Sequence, residues 1–114
     1  MNPDIVKYLE DILLSIGDIR NYITGISTSY QFQADRKTRD SVERRLAIIG
    51  EALNKINKIN TSIAISNKQK IIGLRHILVH DYDLINSETI WQIVTSHLSV
   101  LKIEVEQILK SLEE

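Results

Sequence analysis

Apolar residues recur at steps of four and three over most of this chain, and that spacing leaves little choice of fold. Ile5, Leu9, Ile12, Ile16, Ile19, Ile23 and Ile26 alternate the two steps, which draws one apolar stripe along a helix of 3.6 residues per turn. Asn2-Pro3 sets a capping residue before a proline at the first helical position, where the missing N–H costs nothing. A first helix is expected from about Pro3 to about Gly25.

The polar stretch Gly25 to Ala34 reads as a connection. The pattern resumes with Val42, Leu46, Ile49, Leu53 and Ile56, giving a second helix over Asp35 to Ile59. Followed backwards, this stripe reaches Arg39 and Asp35, so its inward face turns polar at the start. Arg39 is expected to point inward with Glu43 as its partner. Ser66 and Gln69 have the spacing of a capping box, opening a short helix near Asn67 that carries Ile71, Ile72, Leu74, Ile77 and Leu78. Asn86 or Ser87, with Glu88 behind it, starts the last helix, whose stripe is Val94, Leu98, Leu101, Val105, Ile108 and Leu112. The expected fold class is all-α: an antiparallel helical bundle of three long helices plus one short helix, forming a single domain over residues 1–114.

Composition narrows the function. The chain has no cysteine and a formal net charge of −1, so disulfides and thiolate chemistry are excluded and any nucleic-acid footprint must be local. A reducing cytoplasmic setting fits. No leader or membrane span is legible, because Asp4, Glu10 and Asp11 interrupt the first apolar residues and Thr89 to Leu101 is too short.

Against this plain background, LRHILVHDYD (residues 74–83) gathers Arg75, His76, His80, Asp81, Tyr82 and Asp83. Three readings stand. In the first, the stretch cleaves RNA without metal: histidine titrates near neutrality and moves protons, arginine grips phosphate, and tyrosine positions sugar or base. In the second, His76 and His80, four apart on a helix, bind a metal with Asp81 or Asp83. This is weaker, since the glutamate of a zinc-protease helix is missing and Arg75 would repel the ion. In the third, the cluster is structural, with His80 capping the helix, Arg75 paired to Asp81 or Asp83, and Tyr82 packed. Arg followed by His is a weak signal, but fixing the spacing and requiring Tyr82 lowers chance occurrence below about one per cent.

Arg75-x-x-x-x-His80-x-Tyr82, late in an all-helical chain of this size, resembles the HEPN superfamily and, more narrowly, the HepT-like toxins. SVERRLAIIGEALNKI (residues 41–56), with its Gly50-Glu51-Ala52 triplet, and Trp91 in SETIWQIV extend the likeness over most of the chain. The resemblance implies a homodimer whose two Arg/His motifs share one cleft. It implies a metal-independent endoribonuclease that needs no cofactor, with Arg75 and His80 as the catalytic pair. It also implies a toxin silenced by an MntA-like nucleotidyltransferase antitoxin that transfers AMP to Tyr82. His76, Arg39, Glu43 and Asp81 are possible accessory residues. His76 departs from the family, where asparagine commonly follows the motif arginine, and this bears on pH dependence and vigour. The alternative is a non-catalytic interaction subunit that binds or regulates a nucleotidyltransferase. The basic start of the second helix, Arg36 to Arg45, reads either as an RNA-backbone patch or as a solvated face with pairs such as Asp40–Arg44.

Overall fold

The structure, a computed structural model, describes residues 2–80 and 86–113, with His80 and Glu113 described by backbone alone. Among the described residues six α-helices follow in order: α1 Pro3–Tyr22, α2 Ser29–Ala34, α3 Arg36–Ile59, α4 Lys68–His80, α5 Ser87–Gln92 and α6 Leu98–Glu113. A π-helical turn, Ile93–His97, joins α5 to α6 so that they form one long rod. No strand occurs among the described residues. The all-α bundle of three long helices and a shorter one is the observed architecture, with α2 as an addition.

Helix α1 starts where expected, with the Asn2 side chain accepting from the Asp4 N–H at 2.8 Å. It ends at Tyr22, short of the expected Gly25, in a turn where Gly25 adopts φ 88°. Asp35 caps α3 rather than joining it: its carboxylate accepts from both the N–H and the hydroxyl of Thr38. These two bonds lower the Asp35 pKa from its ordinary value.

Helices α1 and α3 run antiparallel, since Tyr8 meets Lys55 at one end while Asp18 meets Arg45 at 3.3 Å near the other. Their facing stripes meet in the core, where Ile5, Leu9, Ile12, Ile16 and Ile19 pack with Val42, Leu46, Ile49, Leu53 and Ile56. The α5–α6 rod closes this core with Ile90, Val94, Leu98, Leu101 and Val105.

Two local expectations are corrected. The connection after α1 is not all loop: α2 is capped by Thr28, which accepts from Gln31 N–H at 3.1 Å. It buries Phe32, whose ring lies 5.5 Å from that of Trp91. Thr28-x-x-Gln31 is itself a capping-box spacing, so a signal for α2 was present. Ser66 does not form such a box with Gln69. Its N–H and hydroxyl both donate to the Glu104 carboxylate at 3.0–3.2 Å, tying the α3–α4 connection to α6. That connection also drops Ile63 and Ile65 into the core.

Candidate active site

Helix α4 lies antiparallel against α3, and the two approach closely at Gly50. A Cβ built there would overlap the Cβ of Arg75 and sit 3.0 Å from the Ile71 carbonyl oxygen. A glycine is required because the α4 backbone occupies the space of any side chain. Glycine inside a helix costs roughly 1 kcal/mol against alanine, and here the close approach it permits offsets that cost.

One residue further along, Glu51 faces the same crossing. Its Oε2 accepts from Arg75 Nη2 at 2.8 Å, while Oε1 lies 3.9 Å from Lys55 Nζ. Lys55 in turn lies over the Tyr8 ring, 5.4 Å from its centroid. Tyr8, Lys55, Glu51 and Arg75 thus form a chain of contacts from α1 across α3 to α4. The Arg75 and Glu51 side chains retain 30 % and 36 % exposure, so a solute can still reach the guanidinium. Glu51 draws on one of its nitrogens. Arginine carries five N–H donors, which leaves capacity for a phosphate.

Beside this pair opens a cleft of about 450 Å³ between α3 and α4, lined by Asp40, Glu43, Arg44, Ala47, Ile48, Glu51, Arg75, Leu78 and Val79. Glu43 is buried within it. Burial raises its pKa from the ordinary value, the nearby Asp40 charge adds to the rise, and Arg39 partly offsets it. Arg39 does not pair with Glu43 as expected. Its Nη1 donates to the Gln33 carbonyl at 2.7 Å, fastening the end of α2 to α3. Arg36, at 3.8 Å, is the ion-pair partner of Asp40, in place of the anticipated Arg44.

Among the residues picked from sequence, the structure brings Arg75 and Glu43 to one cleft and directs the Arg39 side chain to α2. His76 is exposed on α4. The backbone of His80 ends α4. Its side chain, Asp81, Tyr82 and Asp83 lie outside the described residues. Arg75 takes a carboxylate from across the helix crossing, Glu51 of α3, a pairing that the sequence does not assign to it. The available signal was a glycine at an inward position of a strongly amphipathic helix, directly before an acid. Among the described residues no three His, Asp or Glu side chains gather to hold a metal ion, and no helix is long and apolar enough to cross a membrane.

A helical bundle that sets an accessible arginine in a cleft, followed five residues on by a helix-terminal histidine, is of the HEPN type. The model of the family described as "Ribonuclease HepT-like" matches residues 12–108, and the chain belongs to that family. It is 36 % identical over 112 residues to "Putative RNase MJ0127" of Methanocaldococcus jannaschii, covering 96 % of this chain and 91 % of that one. "Putative RNase MJ0125" of the same organism is 32 % identical, covering 97 % and 96 %. "Putative RNase TTE0752" of Caldanaerobacter subterraneus subsp. tengcongensis is 30 % identical over 90 % of this chain and 92 % of its own length. No solved structure matches the chain.

Proposed function

We propose that this protein is a metal-independent endoribonuclease, the toxin of a toxin–antitoxin pair, acting as a homodimer with Arg75 and His80 as its catalytic pair. The observation that carries this reading is Arg75 itself: Glu51 holds it at 2.8 Å on the edge of an open cleft while leaving it 30 % exposed. An RNA phosphate meeting Arg75 gains a fixed cation as negative charge builds on its oxygens. His80 takes the proton from the neighbouring 2′-hydroxyl, whose oxygen then bonds to phosphorus. The bond from phosphorus to the 5′ oxygen breaks, and that oxygen receives a proton from an imidazolium or water. Family membership and relatives named as RNases support the substrate class.

Regulation follows the same chemistry. A nucleotidyltransferase antitoxin transfers AMP to Tyr82, two residues beyond His80. The group adds bulk and negative charge where the RNA phosphate binds, so it blocks by occupancy and by repulsion. A two-fold dimer doubles the effect in a shared cleft.

The test is cleavage of single-stranded RNA in a chelator. Wild-type protein is expected to cut, while Arg75→Ala and His80→Ala lose at least about 10²-fold in rate with unchanged circular dichroism. Retained cutting in either variant rejects the catalytic pair. Intact mass after co-expression with an MntA-like nucleotidyltransferase reports AMP, expected on wild type and absent from Tyr82→Phe. Light scattering should give twice 13.1 kDa.

A further inference from the structure

The cleavage chemistry uses Arg75 and leaves Glu43 without a task, yet Glu43 is the more demanding group. It is 7 % exposed, and its Oε2 has no hydrogen-bond partner among the described residues. A carboxylate taken out of water with no donor in reach is costly, and a buried group of this kind calls for an explanation. It lines the same cleft as Arg75. Oε2 is itself closed to a water-sized probe, but a turn of the carboxylate about its last bond would present both oxygens to a molecule seated in the cleft, which could then supply the missing donors.

The rest of the cleft describes that molecule. Ala47 and Ile48 of α3 and Leu78 and Val79 of α4 give it aliphatic walls. Glu43 and Glu51 stand eight residues apart on α3, about 12 Å along the axis. One end therefore carries a bare carboxylate and the other a guanidinium. A nucleotide has the matching parts: an anionic phosphate, flat apolar faces, and a hydrogen-bonding edge at a comparable remove from the phosphate. A volume of about 450 Å³ is within the range of small-ligand pockets. Arg44, exposed on the rim with no acid within 4 Å among the described residues, adds positive charge.

We propose that this cleft is a base-reading subsite in which the Glu43 carboxylate accepts hydrogen bonds from the Watson–Crick edge of a guanine whose strand is gripped at Arg75. Guanine offers N1–H and an N2 amino hydrogen side by side, which match two carboxylate oxygens. Adenine and cytosine offer one donor beside an acceptor, and uracil offers one donor between two acceptors. Single-stranded RNA exposes these edges. The inference rests on the ribonuclease reading for its substrate but on Glu43 for its selectivity.

The experiment titrates the full-length wild-type chain, without metal, with guanosine 5′-monophosphate, inosine 5′-monophosphate, which lacks the N2 amino group, and uridine 5′-monophosphate, followed by amide shifts. The guanine nucleotide is expected to bind roughly tenfold or more tightly than the inosine nucleotide. Glu43→Gln should abolish that difference. Equal affinities in wild type, no binding of either purine nucleotide, or a preference that survives Glu43→Gln each overturn the proposal. RNA cleavage is scored separately. Cutting with no guanine preference in binding sinks the subsite and leaves the nuclease, whereas guanine-selective binding by a protein that cuts nothing leaves the subsite and sinks the nuclease.

Discussion

At the scale of single residues, the candidate site is arranged by what is absent at position 50 as much as by what is present at 51 and 75. Gly50→Ala should destabilise the fold by about 1–3 kcal/mol, because the added methyl meets Arg75 and the Ile71 carbonyl and forces α4 outward. Gly73→Ala, with nothing near its new Cβ, should instead stabilise by roughly 0.5–1 kcal/mol. Urea midpoints of the two variants test the contrast. Glu43 gives a pH signature with a definite sign. Its folded pKa is raised, so the folded state binds the proton more tightly than the unfolded one. Its contribution is most favourable below the unfolded pKa and is lost as pH rises through the folded pKa. Glu43→Gln should therefore raise the melting temperature at neutral pH, by a margin that shrinks as pH falls below the ordinary glutamate range. An increment independent of pH would contradict this. The Arg75 motif was legible because three uncommon residue types stood at fixed spacing. Glu51 was not, because its partner lies 24 positions away and the glycine before it marks a close approach without identifying the residue opposite.

At the scale of elements, the long helices were legible because each carries a stripe sustained over several turns. Their starts at Asn2 and Asn86 were legible because a cap is a local hydrogen bond between near neighbours. Helix α2 was not: beyond its Thr28–Gln31 capping spacing it offers six residues and one buried anchor, Phe32, too little for a period to emerge. What holds it is tertiary: Phe32 meets Trp91 of α5, and Arg39 of α3 binds its last turn at Gln33. Phe32→Ala should accordingly cost about 3–5 kcal/mol. Trp91 fluorescence should report local loosening in that variant, and a loss under 1 kcal/mol would show that α2 is not anchored through the ring. The apparent capping box at Ser66 failed for a related reason. A carboxylate from α6 satisfied Ser66 first, and sequence spacing does not show a competitor 38 residues away.

At the scale of the whole molecule, the helices form a slab of 44 × 28 × 19 Å with a Cα radius of gyration of 14.1 Å, near the roughly 13 Å of a compact chain this long. The bundle was legible because three long stripes of similar length have to bury one another. The π-helical turn was not anticipated, although the buried series Ile90, Val94, Leu98 already takes two steps of four in succession. A regular helix would drift off the core under that spacing, and one i→i+5 turn takes up the difference. The Thr95 hydroxyl, bonded to the Trp91 carbonyl at 2.7 Å, supports that carbonyl within the turn. Insertion and deletion then have unequal consequences along one rod. Five residues at Ile93–His97 do the angular work of about four, so removal of Thr95 should straighten the rod yet keep Leu98, Leu101 and Val105 on the core side. Removal of Lys102, only seven positions later, would swing every following residue by about 100° and move Val105 out of the core to the half-buried place of Glu104. Thermal melts of the two single-residue deletions should therefore differ sharply, the first folding cooperatively and the second not, and the turn marks where the length of this helix can change without changing its face.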